Sequence, residues 1–120
     1  MTLSRRWLPA AGLLLAAAGP ATAHSLLLES APARGATLTT PPRVLMLRFN
    51  NRIEPSLSRV RVLDERGAVQ PLAVTVEAGA VDRLSASVPP LTPGRWRVEW
   101  QVLSVDGHVV TGRFEFRLAP

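Results

Sequence analysis

From Arg95 to Val102 polar and apolar residues alternate without a break, as Arg-Trp-Arg-Val-Glu-Trp-Gln-Val. Successive side chains of an extended chain point to opposite faces, which places Trp96, Val98, Trp100 and Val102 on one side and Arg95, Arg97, Glu99 and Gln101 on the other. A helix of 3.6 residues per turn would scatter the same apolar set around its circumference, so the segment is a half-buried strand. The alternation returns over Arg113 to Leu118, with Phe114, Phe116 and Leu118 inward. Shorter strands are predicted at Val44 to Phe49, Arg59 to Val62, Ala73 to Glu77 and Leu84 to Val88. Asp64-Glu65-Arg66-Gly67 has the composition of a hairpin turn, and the proline-rich run Pro89 to Gly94 cannot be helical. Pro41 and Pro42 blunt the start of a strand. No window sustains a helical apolar repeat, and the expected fold is all-β. It is a small Greek-key β-sandwich or barrel, immunoglobulin-like or cupredoxin-like, of about seven strands. Trp96, Trp100, Phe114 and Phe116 are at strand spacing and belong to its core rather than to a ligand-stacking surface.

The first residues follow a different rule. Arg5 and Arg6 precede an apolar run from Leu8 to Ala18, and Gly19-Pro20 leads into Ala21-Thr22-Ala23, a small-x-small cleavage signature. The run is well short of the ~20 residues that a membrane-spanning helix needs. Residues 1–23 are therefore expected to be a secretory signal peptide, and residues 24–120 the folded domain, outside the cytoplasm. Ser4-Arg5-Arg6-Trp7-Leu8 also has the outline of a twin-arginine signal, weakened by Pro9, which leaves the export route open. Cleavage after Ala23 would leave 97 of the 120 residues, enough for one sandwich core.

Composition then narrows the chemistry. There is no cysteine, so neither a disulfide nor a thiolate metal site is available. All 14 basic residues are arginine, and the 12 beyond the leader face 9 acidic residues, a net +3. No basic cluster with interleaved aromatics marks a nucleic-acid surface, and no nucleic-acid partner is expected. Serine or paired-carboxylate catalysis lacks a constellation, since Asp64 and Glu65 fall in a turn and Ser104 stands near His108 without an evident orienting partner.

The chain has two histidines, and their positions are informative. His108 lies in Ser-Val-Asp-Gly-His, residues 104–108, between the two best strands. In an extended backbone Asp106 and His108 would project to the same side, with Gly107 leaving the space between them open. By itself such a pair is a weak motif and reads as a polar turn in which Asp106 caps backbone amides. The other histidine, His24, directly follows the expected cut. As a first residue it would offer its α-amine and its imidazole Nδ1 to one metal in a six-membered chelate ring, which a histidine at no other position can do. His108 adds a third nitrogen and Asp106 an anionic oxygen. Such a sulfur-free set suits tetragonal Cu(II), with zinc and nickel as competitors. Ser104 is a candidate support for the turn.

These residues carry a resemblance. "AHSLLLESAPARG", "PPRVLMLRFNNRIEPSLSRVRVLDERG" and "LTPGRWRVEWQVLSVDGHVVTGRFEFRL" together resemble the CopC-type periplasmic copper-binding proteins of bacterial copper resistance and homeostasis, over essentially the whole chain beyond the leader. The resemblance implies a β-sandwich that binds one Cu(II) through the amine and imidazole of His24, through Asp106 and through His108. It also implies a CopD-like inner-membrane copper protein as a possible partner. Some members carry a methionine-rich loop for Cu(I). Here Met46 is the one methionine beyond the leader, and it reads as core filler within a strand, so a Cu(II)-only variant is expected.

Two other functions fit parts of the pattern. A histidine that chelates copper through amine and ring also serves oxidative polysaccharide-cleaving monooxygenases, but Asp106 would crowd the open position, the domain is small for a polymer-binding plane and the chain has no tyrosine. A metal-free sandwich used only for protein contacts would be indifferent to alanine at His108. The favoured expectation is a copper-binding protein, not an enzyme, without a small-molecule substrate and monomeric.

Overall fold

The computed structural model describes residues 26–75 and 81–120, with the side chains of 73–75 left aside. The expected leader, His24 and the end of the strand expected to reach Glu77 lie outside the described residues. Among the described residues nine strands form: β1 (Leu27–Ala31), β2 (Thr37–Leu38), β3 (Val44–Phe49), β4 (Arg59–Leu63), β5 (Val69–Gln70), β6 (Ala73–Thr75), β7 (Arg83–Ser87), β8 (Gly94–Leu103) and β9 (Val109–Leu118), with one 3₁₀ turn at Pro55–Leu57. They build two sheets, one ordered β1-β3-β7-β6 and the other β2-β9-β8-β4-β5. This is the expected all-β sandwich, as two open sheets and with more strands than the seven or so read from the alternation.

The core follows the pleat. Trp96, Val98, Trp100 and Val102 from β8 and Phe114, Phe116 and Leu118 from β9 are buried, and Leu45, Leu47, Phe49, Leu84 and Ala86 meet them from the opposing sheet. Fully burying an apolar side chain of this size contributes about 1.5–3 kcal/mol. Between the sheets the Phe49 and Trp100 rings stand edge to face, centroids 5.2 Å apart at 74°. Trp96 also satisfies its polar end, donating from Nε1 to the Thr92 carbonyl at 2.9 Å. Met46 departs from expectation. It is half-buried on the outer side of β3, opposite Ala31 and Ser85, because Leu45, Leu47 and Phe49 take the inward positions.

The Asp64–Gly67 turn forms as its composition requires. Asp64 Oδ1 accepts from the amides of Arg66 and Ala68 at 2.8 and 2.9 Å, and Gly67 takes φ 82°. The strands absent from the sequence reading are β1, β2 and β5. In β1 a bulge between Leu27 and Glu29 breaks the period of two, while β2 and β5 span two residues each, too few to show a period.

One end of the sandwich gathers distant parts of the chain. The start of β1 pairs with the end of β3, Leu27 opposite Phe49. Just beyond, Ile53 bridges to Ser104 and the Glu54 amide donates to the Leu103 carbonyl at 2.9 Å. The N-terminal end of β1 and the turn joining β8 to β9 therefore share that end.

Candidate metal centre

Residues 104–108 do not continue the extended backbone of β8. Ser104 is 1% exposed and anchors the turn through its backbone: its amide donates to the His108 carbonyl at 2.9 Å, and its carbonyl accepts from the Gly107 amide at 2.9 Å. The hairpin closes between these two bonds. Gly107 takes φ 85°, a left-handed conformation that a Cβ would strain, so glycine is required here by the backbone, not only to leave open space.

The turn brings Asp106 and His108 together by a route different from the extended one expected. Asp106 Oδ1 accepts from the His108 backbone amide at 3.0 Å, and Oδ2 lies 3.0 Å from His108 Nδ1. One carboxylate thus closes the turn and holds the ring. With Nδ1–H directed at the carboxylate, the neutral imidazole presents the lone pair of Nε2 on the far side of the ring. The His108 side chain is 65% exposed and that of Asp106 22%, so the ring is accessible while the carboxylate that orients it is partly sheltered. Capping by Asp106 and metal ligation are not exclusive, because an ionised carboxylate has about four acceptor sites.

Of the predicted site residues, the structure joins Asp106, His108 and, through the backbone, Ser104. His24 lies outside the described residues. Among the described residues no group of three or more His, Cys, Asp or Glu side chains is placed to hold a metal ion. The donor set tested against copper therefore has two described members, one imidazole and one carboxylate, both of a kind that suits Cu(II).

A residue that sequence reasoning missed lies at the same end. Asn50, immediately after β3, accepts from the Leu26 amide through Oδ1 at 2.7 Å, and its own amide donates to the Leu26 carbonyl at 2.9 Å. These two bonds pin the chain two residues after His24. Asparagine after an apolar strand reads as a turn residue, and nothing in its local sequence names Leu26 as partner.

The family model described as CopC domain matches residues 27–119. Protein YobA of Escherichia coli (strain K12) is 29% identical over 97 residues, covering 78% of this chain and 77% of that protein. Copper resistance protein C of Pseudomonas syringae pv. tomato is 31% identical over 116 residues, covering 91% and 90%. Among solved structures, CopC from Methylosinus trichosporium OB3b superposes with a TM-score of 0.77 at 32% identity, covering 81% of this chain and 95% of its own.

Proposed function

Because the chain belongs to the CopC domain family, we propose that it is a periplasmic copper-binding protein of copper resistance and homeostasis, which holds one Cu(II) ion as cargo and buffers it or passes it to a membrane partner. The observation that carries this reading is the pairing of Asp106 with His108 on a turn closed at both ends by Ser104. A ring held in one orientation by a carboxylate loses less freedom on binding than a loose one.

In this reading His24, as the first residue after leader cleavage, supplies its α-amine and Nδ1, His108 an imidazole nitrogen and Asp106 an oxygen. The Leu26–Asn50 bonds support it, since they fix the chain next to His24 at the end that carries the turn. Only the two residues Ser25 and Leu26 separate His24 from β1. The partner on the membrane is expected to be a CopD-like copper protein, and the domain to act as a monomer without catalytic turnover.

Competition of the protein with a chromophoric Cu(II) chelator tests this. One tight equivalent that is lost in His108→Ala supports the reading, and equal binding by both proteins contradicts it. Reductant-dependent oxygen consumption by the copper-loaded protein, compared with free copper, separates it from an oxidative enzyme; turnover well above free copper would favour the enzyme.

A further inference from the structure

Cross-strand register gathers arginine on the outer face of the five-stranded sheet. Across β4, β8 and β9 it aligns Arg59 with Gln101 and Thr111, Arg61 with Glu99 and Arg113, Arg97 with Glu115, and Arg95 with Arg117. Six arginines and two glutamates share this face, a net +4. Arg95 directly opposite Arg117 is a like-charge pair, which opposes strand pairing.

The two carboxylates do not balance the face evenly. Glu99 accepts from Arg61 Nε at 2.8 Å, and its second oxygen lies 3.3 Å from Arg97 Nε, outside good hydrogen-bond geometry. Arg113, its neighbour in register on β9, is left without an ion pair among the described residues, as is Arg59. Toward the other end of the face Asp64, Glu65 and Glu115 stand with Arg95 and Arg97 around a hollow of about 330 Å³. The excess positive charge is therefore concentrated in a groove of about 810 Å³, lined by Arg59, Arg61, Glu99, Gln101, Thr111 and Arg113.

We infer that this groove docks an acidic segment of a partner protein, whose carboxylates engage Arg59, Arg61 and Arg113. The planar guanidinium fork matches a carboxylate in two parallel hydrogen bonds, and the chain uses arginine here without a single lysine. Gln101 and Thr111 continue the row that Arg59 begins, beside the row of Arg61, Glu99 and Arg113, and offer polar contacts to an extended backbone. A bilayer fits less well, because the surface is concave and its lining presents no exposed large apolar side chain to insert. Single-stranded nucleic acid lacks stacking partners, since Trp96 and Trp100 are buried toward the core. Glu99 acts as an internal competitor for Arg61, which the incoming carboxylate displaces. The groove shares no residue with the Asp106 turn, and Gln101 and Thr111 stand two register pairs short of the last pair before it, Leu103 with Val109.

The test is fluorescence anisotropy of a labelled oligoglutamate peptide at low ionic strength, on the full domain without metal. The triple variant Arg59→Gln, Arg61→Gln, Arg113→Gln is compared with Arg34→Gln, Arg43→Gln, Arg66→Gln, which removes equal charge from exposed positions elsewhere. The groove triple is expected to weaken binding by about tenfold or more and the control triple by less than about threefold. Glu99→Gln is expected to tighten binding several-fold. Equal weakening by both triples would overturn the proposal, as would binding of phosphatidylglycerol vesicles in place of the peptide. Thermal unfolding reports whether the groove triple folds; if it does not, Glu99→Gln decides, and an unchanged affinity overturns the inference.

Discussion

Asp106 contacts His108 twice, through Oδ1 to the backbone amide and through Oδ2 to Nδ1, each at 3.0 Å. The two contacts are separable by substitution, because an asparagine retains an oxygen for the amide and loses the charge beside the ring. Asp106→Asn is expected to leave unfolding within a few tenths of a kcal/mol of wild type while lowering Cu(II) affinity by about tenfold to a hundredfold. Asp106→Ala removes both contacts and is expected to cost a further ~1 kcal/mol of stability as a lost cap. Thermal unfolding beside chelator competition distinguishes the two effects.

Asn50 holds the chain that leads to His24. Asn50→Ala removes the side-chain bond to the Leu26 amide, an exposed hydrogen bond worth ~1 kcal/mol or less. Cu(II) affinity is expected to fall several-fold with little change in the midpoint of unfolding. Asn50→Asp, which restores the acceptor, is expected to recover it; equal affinity in all three proteins would remove Asn50 from the account.

Two glycines should respond to alanine for different reasons. At Gly107 an added Cβ meets nothing within 4 Å, and the penalty is the left-handed backbone at φ 85°, about 1–2 kcal/mol. At Gly112 the space itself is taken, since a Cβ would overlap Cζ2 and Cε2 of Trp100. Gly112→Ala is expected to cost about 1–3 kcal/mol as overpacking, and Gly112→Ala with Trp100→Phe to recover part of it. Denaturant unfolding of the two single variants and the double variant measures both.

Reduction of the metal is expected to weaken binding sharply. Imidazole and carboxylate suit Cu(II), whereas Cu(I) favours thiolate and thioether, and the chain has no cysteine. Met46, opposite Ala31 and Ser85 on the sheet that does not carry the Asp106 turn, offers no cluster. Anaerobic competition with a Cu(I)-selective chelator checks this; retention of Cu(I) as strong as that of Cu(II) would contradict the proposed ligand set.

The parts of this fold that were legible in the sequence are those where one residue-level rule acts over several positions. The β8 and β9 alternation declared both strands and their inward faces, and the Asp64 turn declared itself by composition. The bulge after Leu27 concealed β1, because one extra residue moves the leucines off a period of two. The candidate site was half legible. Asp-Gly-His marked the place, but the chain there turns rather than extends, and the contact is made by a capping carboxylate on a glycine at positive φ. The ion pairs were not legible at all: Glu99 turns to Arg61 on β4 and to Arg97 on its own strand. Such choices depend on which neighbouring strand lies beside β8, which local sequence does not encode.

The central claim is that His24, as a free N-terminus, completes a copper site with Asp106 and His108. The direct measurement is a Cu(II) titration followed by electron paramagnetic resonance, on protein beginning at His24 and on protein carrying one added residue before it. One tight equivalent with a nitrogen-rich tetragonal spectrum in the first, lost or altered in the second, is the predicted result. Identical spectra and affinities would contradict it, because an amine locked in a peptide bond cannot then have been a ligand.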